Sequence, residues 1–363
     1  MYRWKINVKI AEVRMLRAAK DGDMIRFRGY SEFIYGKPSL EIFAYTIQNI
    51  RSSIKPHLSS EDPDIKKAAE ELADLLPSDL PKVSIQELPS DNDIATARAQ
   101  TLLELGDLIN IEPPEEGKQY AAEEIRDIFQ EALNALGAEG WSVVVDTGSR
   151  TAVGIDQEHK VIKVPESRRL AFAKLQKLVA HEVGTHVTRR VNGERSRLQL
   201  LGLGFDRYEK GEEGVAATRE QALDGKVEDF SGLLGHLAIG LAKGLDGQPR
   251  DFRGVYEIME KYFYLEKLVS GKNSADALAA AQRNAWKRCV RTFRGTNCAT
   301  RGVCLEKDII YREGNIGVWA VIRENPEELL RFRIGKYDPA NPRHIWILNQ
   351  LGISDNDLEE LSQ

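Results

Sequence analysis

Apolar residues recur every three or four positions along most of the chain, and this spacing predicts a mainly helical protein. Before residue 120 the clearest examples are "IKKAAEELADLL" and "IATARAQTLLELGDLI". They are separated by segments rich in Pro, Ser, Asp and Gly. We therefore expect a mainly helical N-terminal region over residues 1–119. It includes the aromatic stretch "FRGYSEFIYGKPSLEIF", for which core packing is expected and an aromatic docking surface is the alternative.

From residue 120 the pattern changes. A helix near residues 120–137 precedes "WSVVVD", "TAVGI" and "KVIKV", three short runs rich in β-branched residues, which predict an antiparallel meander. Pro165 and Glu166 then open a predicted helix that runs to a stop at Asn192 and Gly193. Further helices are expected from near Glu212 onward. The fold class is therefore α+β, with a small antiparallel or mixed sheet in a second domain over residues 120–363.

Composition and charge exclude several classes of function. The 363 residues are 42% apolar and 29% charged, and the net charge of -5 gives no general attraction to nucleic acid or to an anionic membrane. The first twenty residues resemble no secretory signal, and no run of about 18 apolar residues occurs. Cys289, Cys298 and Cys304 are too few for a disulfide framework. We expect a cytoplasmic protein without nucleic-acid or membrane partners.

The hexapeptide "HEVGTH", residues 181–186, is the candidate chemical motif. In H-E-x-x-H zinc peptidases two histidines four positions apart share one helix face. Here His186 comes one residue late, about 140° around an ideal helix from His181. An extra residue in a helix is usually absorbed as a π-bulge, which we expect at Gly184 and Thr185. Both imidazoles would then reach one metal, with Glu182 beside it.

A catalytic zinc site needs a third protein ligand besides two histidines. Glu213 lies 27 residues after His186, at the start of the next predicted helix. Glu212 is its neighbour, and the spacing alone does not decide between them. If this helix packs antiparallel to the helix that carries the histidines, either carboxylate can lie beside them.

The segments "HEVGTHVTRRVNG", "GLGFDRYEKGEEGVA" and "RTFRG...LEKDIIYREG" resemble a bacterial family named for its QEGLA motif. That family is similar to the eukaryotic microtubule-associated tyrosine carboxypeptidases, and the resemblance covers roughly residues 120–350. It implies a zincin-like metallopeptidase with one zinc per chain, held by His181, His186 and Glu213, and Glu182 as the catalytic base. The sequence departs from the family pattern at Glu212, usually Gln, and at Val215, usually Leu.

The residues that would contact the substrate are sought in two places. A donor to the reaction's oxyanion is expected among Tyr208, Tyr311 and Arg294. A terminal carboxylate is usually bound by a cation, and a basic cluster in and next to the predicted loop that begins near residue 292 offers such groups. Its members are Arg291, Arg294, Arg301 and Lys307.

The motif together with this resemblance thus predicts a hydrolase, a zinc metallocarboxypeptidase that removes C-terminal residues from peptides or proteins. A tyrosine-like residue at that end is what the resemblance alone implies. One alternative is a metal-dependent endopeptidase that aligns an extended substrate on the edge of the sheet. The other alternative is a regulatory protein whose zinc is structural. An open fourth position at the metal would distinguish catalysis from that last case.

Overall fold

The computed structural model describes residues 2–83, 87–111, 116–148 and 152–353. They are mostly helical with two small sheets, which confirms the α+β class. None of the described helices combines the length and the apolar character that crossing a lipid bilayer requires.

The fifteen α-helices of the described residues are α1 (Tyr2–Asp21), α2 (Met24–Tyr35), α3 (Leu40–Ile54), α4 (Pro63–Leu75), α5 (Asp91–Ile109), α6 (Ala122–Ala135), α7 (Phe172–His181), α8 (Thr188–Arg195), α9 (Leu200–Leu203), α10 (Glu209–Asp224), α11 (Leu233–Lys243), α12 (Phe252–Val269), α13 (Ser274–Phe293), α14 (Ile309–Glu324) and α15 (Pro342–Gln350). The strands are β1 (Gln119–Tyr120), β2 (Ser142–Asp146), β3 (Gly154–Asp156), β4 (Val161–Pro165) and β5 (Leu170–Ala171). Short 3₁₀ segments occupy Lys55–Ser59, Glu306–Asp308 and Pro326–Arg331.

The chain forms two compact units, each assembled from two separate stretches of sequence. The first unit comprises Leu88–Phe230 and Gly314–Gln363, and the second comprises Tyr2–Glu87 and Ser231–Glu313. Grouping by contacts therefore differs from the contiguous segments 1–119 and 120–363 inferred from the sequence pattern. That sequence-based division stays a prediction.

The core of the first unit surrounds the segment that carries the histidine motif. Buried apolar side chains of α5, α6 and α7 pack there with those of β2 and β4. Leu175 and Val179 of α7 are completely buried, as the apolar period of this segment predicted. The same core continues into Val183 and Val187, so the motif has one apolar side anchored in the core.

The three-stranded sheet of this unit is mixed, and the predicted antiparallel meander is wrong. Its strand order is β2-β4-β3, with β2 parallel and β3 antiparallel to β4. Ile162 and Val164 of β4 are fully buried, whereas β3 is only half-buried. The strand with the most buried side chains therefore lies in the centre of the sheet, because two neighbouring strands shield its apolar side chains from water better than one.

The helix that carries the motif differs from the prediction at both ends. Pro165 is the last residue of β4, paired with Asp146, and α7 begins seven residues later at Phe172. At the other end α8 continues through Gly193 to Arg195. A β-carbon at Gly193 would lie 2.4 Å from the backbone nitrogen of Gly202. This glycine permits a close backbone approach within the helix and does not end it.

The second unit has its own core. Buried residues of α3, α4, α11, α12 and α13 form one cluster, which Ile309 and Ile310 at the start of α14 complete. A smaller cluster joins Ala18, Met24 and Phe27 of α1 and α2 to Val303 and Leu305. The N-terminal helices therefore pack against the later part of the sequence, between residues 231 and 313.

Candidate metal centre

The histidine motif contains one turn of π-helix, as the late second histidine predicted. Residues Glu182–Val187 are π-helical, between α7 and α8. A π-turn contains about one residue more than an α-turn, so the helix resumes its earlier face after the insertion. The rings of His181 and His186 consequently lie with their centroids 5.0 Å apart, on one side of the helix.

Packing on α5 explains the glycine of this turn. A β-carbon at Gly184 would lie 2.6 Å from Cδ1 of Leu105 and 3.1 Å from its Cδ2. The backbone of Gly184 does not lie in the left-handed region that favours glycine. The position therefore needs a glycine for the close approach of Leu105, and not for conformational freedom as the sequence suggested.

Side-chain hydroxyls bind carbonyl groups of the π-turn and of the residues before it. Thr185 donates from Oγ1 to the carbonyl oxygen of Ala180 over 3.0 Å. Thr188 donates in the same way to Val183 over 2.9 Å. Both bonds span five residues, the spacing of the π-turn itself. Because buried carbonyls need partners, these two threonines favour the widened turn.

Arg219 of α10 supplies a third donor to the turn. Its guanidinium donates to the carbonyl oxygen of Gly184 over 2.5 Å and to Oγ1 of Thr185 over 3.2 Å. The same guanidinium pairs with Glu104 of α5, and both side chains are at least 95% buried. A buried ion pair thus joins α5 and α10 to the carbonyl of the bulge.

Three candidate ligands converge beside this turn. Oε2 of Glu213 lies 3.7 Å from Nε2 of His181 and 4.0 Å from Nε2 of His186. One ligand atom from each of the three residues lies within 4.8 Å of the other two. Tetrahedral zinc with bonds of about 2.0–2.1 Å places its ligand atoms roughly 3.3 Å apart. The donor set therefore fits zinc, and the two distances to Glu213 would shorten by about 0.4 and 0.7 Å when the metal binds.

A carboxylate orients the ring of His181 by contacting the nitrogen that faces away from Glu213. Nδ1 of His181 contacts the carboxylate of Glu220, two turns after Glu213 on α10. Burial lowers the pKa of His181, but Glu220, with Glu182 and Glu213, raises it overall to about 9. The contact directs Nε2 toward Glu213. A carboxylate behind a metal-binding histidine is the usual supporting arrangement at zinc sites.

Glu212 orients the ring of His186 in the same way. Its Oε1 lies 3.0 Å from Nδ1 of His186, and it also accepts from Nζ of Lys336 over 2.9 Å. Its other oxygen accepts from Arg189 over 3.2 Å. Burial raises the pKa of Glu212, but Lys336, His186 and Arg189 together lower it. Of the two adjacent glutamates, Glu213 lies next to the Nε2 atoms of both histidines, and Glu212 contacts the Nδ1 atom of His186.

Glu182 immediately follows the first histidine and interacts electrostatically with all three candidate ligands. Burial raises the pKa of its carboxyl, while His181 and His186 oppose this change and Glu213 and Glu220 reinforce it. A carboxyl whose pKa is raised in this way is suited to general acid–base catalysis beside a metal site.

Tyr208 directly precedes α10, next to the support of His186. Nζ of Lys336 lies 5.4 Å from the centre of its ring. Burial, followed by the charges of Glu212 and Glu209, raises the pKa of Tyr208 well above its ordinary value. The phenol is thus protonated at neutral pH. Its predicted contact with the oxyanion stays a prediction.

The other expected substrate contacts belong to the second unit. Arg291 pairs with Asp308 over 2.5 Å, and Tyr311 lies beneath its guanidinium at 5.6 Å from the ring centre. Arg294 is exposed at the end of α13. Lys307 lies in the 3₁₀ segment Glu306–Asp308, and Arg301 is exposed in the loop before it. For these residues substrate binding stays a prediction, and Arg291 already has a structural partner.

Comparison with known proteins agrees with the site. The family model described as Microtubule-associated tyrosine carboxypeptidase matches residues 81–227. The matched segment contains His181, Glu182, His186 and Glu213, and it ends before Arg291. A comparison with curated proteins gave no match. The resemblance to the microtubule-associated tyrosine carboxypeptidase family is therefore confirmed over residues 81–227, and its extension to about residue 350 stays a prediction.

Proposed function

We propose that this protein is a zinc-dependent metallopeptidase that removes C-terminal residues from peptides or proteins. The observation that carries the proposal is the convergence of His181, His186 and Glu213 across a π-turn, with Glu182 directly after the first histidine. The matched family is one of carboxypeptidases, which supports a C-terminal peptide bond as the target.

Zinc at such a site supplies Lewis acidity toward a carbonyl group and toward water. The residues of the chain have separate tasks around it. His181, His186 and Glu213 hold the metal, while Glu220 and Glu212 fix the ring orientations through the two Nδ1 atoms. In this proposal Glu182 accepts the proton of the attacking water and later gives it to the leaving amine.

The ligand set favours catalysis over a structural metal. Within the described residues the group holds three ligands, whereas structural zinc usually has four protein ligands. The side chains of His181, His186 and Glu213 are 13–20% exposed, so a solvent molecule or a substrate can approach them. In this proposal a solvent molecule or the substrate would complete the coordination that these three residues provide.

The test is a panel of peptides with free and amidated C-termini, incubated with the zinc-loaded protein and with the chelated protein. Amidation removes the charge that an exopeptidase reads, and it should lower kcat/KM by roughly 30-fold to 1,000-fold. The Glu182→Gln variant should keep its zinc and lose most of its turnover. Cleavage at internal bonds, or equal rates on both peptide forms, would indicate an endopeptidase. Bound zinc with no turnover on any peptide would indicate a structural metal.

A further inference from the structure

A groove with no role in the proposed reaction lies between α1 and α2 of the second unit. Its volume is about 630 Å³. Ile10 and Arg14 of α1 line one side of the groove, and Arg26, Gly29, Tyr30 and Phe33 of α2 line the other. Its wall, which Asn7 and Ala11 complete, thus combines apolar side chains with two arginines.

The outer surface of α1 continues this apolar region. Ile6, Ile10, Val13 and Leu16 are 42–69% exposed. Ile6, Ile10 and Val13 are spaced by four and three residues, so they form one stripe along the helix. Ala11 and Ala18 are buried on another face of α1. A surface helix of a globular protein usually has a single apolar face, directed toward the core. A second apolar face on α1 is typical of a helix that has two partners.

Gly29 is the most informative residue of the groove. It lies in the middle of α2, where glycine weakens a helix relative to alanine. Its φ is not in the left-handed region, and a β-carbon built on it would have no atom within 4 Å among the described residues, apart from its chain neighbours and the backbone of its own helix. Backbone conformation and internal packing therefore give no reason for a glycine here. A ligand that approaches the backbone of α2 would give one.

The charge around the groove indicates what kind of ligand fits. The segment of residues 2–35 contains eight lysines and arginines against four aspartates and glutamates, in a chain whose net charge is -5. Arg26 contacts Asp23 over 3.4 Å, but this pair is exposed and therefore weak. The Arg14 and Arg26 guanidinium groups suit carboxylates, which they bind through paired hydrogen bonds.

We propose that the groove between α1 and α2 binds an acidic, amphipathic segment of a partner protein. Its apolar side chains enter the groove over Gly29, and its carboxylates contact Arg14 and Arg26. A helical segment presents both kinds of side chain at the required spacing. A second copy of the basic α1 would be repelled by like charge. A flat lipid surface would leave a concave groove unfilled.

The test measures binding of a fluorescein-labelled, helix-forming peptide by fluorescence anisotropy. In the peptide, leucines recur every three or four residues among glutamates, and an amidated C-terminus separates the result from any carboxypeptidase activity. The same peptide with glutamines in place of glutamates is the charge control. Gly29→Leu fills the groove, and Gly29→Ala is the matched variant, which adds one methyl group and should raise the melting temperature.

We expect micromolar binding of the glutamate peptide, at least tenfold weaker binding to Gly29→Leu, and a smaller loss for Gly29→Ala, whose single methyl group lies where the ligand approaches the backbone. Arg14→Glu with Arg26→Glu should weaken binding at least tenfold, and the glutamine peptide should bind as weakly. Circular dichroism confirms that each variant is folded. Equal binding of both peptides, or undiminished binding to folded Gly29→Leu, would overturn the proposal. So would binding to vesicles that contain phosphatidylserine in place of binding to the peptide.

Discussion

The two histidines of the candidate metal centre have the same kind of partner in different surroundings. His181 is supported by Glu220, whose side chain is 37% exposed. His186 is supported by Glu212, whose side chain is 5% exposed and which also binds two buried cations, Arg189 and Lys336. One support is a local contact at the surface, and the other is part of the buried polar structure of the first unit. The orientation of His186 therefore depends on buried polar contacts of the fold, whereas the orientation of His181 depends on one local contact.

The largest effect that this comparison predicts is on stability. Glu212→Ala leaves the side chains of Arg189 and Lys336 buried without their shared carboxylate. Removing one partner of a buried ion pair typically costs about 3–5 kcal/mol, because the remaining charge stays desolvated. Urea denaturation of the chelated protein, followed by circular dichroism, should show a loss of this size.

Glu220→Ala is the matched control for that measurement. Its carboxylate is partly solvated, so we expect the free energy of unfolding to change by less than about 1 kcal/mol. Zinc affinity should still fall roughly 10- to 100-fold, since the ring of His181 loses its support. If the two alanine variants unfold at the same urea concentration, the distinction between the two supports is wrong.

A second effect concerns zinc affinity and the turn that separates the histidines. Arg219→Met removes the donor to the Gly184 carbonyl and leaves Glu104 buried without its partner. We expect lower stability and zinc binding weaker by roughly 10- to 100-fold, the size found for residues that support metal ligands. Competition with a chromophoric chelator measures the affinity.

The double variant Glu104→Gln with Arg219→Met separates these two consequences. It no longer contains an unpaired buried carboxylate, so most of the stability should return. The carbonyl of Gly184 still lacks its donor, and zinc binding should stay weak. Recovery of full zinc affinity in the double variant would show that Arg219 does not position the turn.

The sequence identified the three candidate ligands that the structure brings together, but not the groups that support them. The late histidine of "HEVGTH" indicated the π-turn because two imidazoles can share a metal only if they lie on one helix face. Glu220 and Arg219 were missed, since their roles depend on how α10 packs against the motif. Glu220 follows Glu213 by seven residues, two helical turns, and this spacing was a usable signal.

The errors in the fold have similar causes. β-branched composition identified β2, β3 and β4, but it carries no information on strand order, which burial in the tertiary structure decides. Pro165 predicts the start of a helix because proline is favoured in the first helical turn. It is equally compatible with the end of a strand, where no ladder hydrogen bond from its nitrogen is needed.

The most direct test of the central claim is the zinc content of four proteins prepared alike. Elemental analysis should find about one zinc per chain in the wild type and in Glu182→Gln, because Glu182 is not a ligand. His186→Ala and Glu213→Ala should hold little or none after dialysis. A wild type without metal, or equal zinc loss in Glu182→Gln and Glu213→Ala, would contradict the assignment of His181, His186 and Glu213 as the metal ligands.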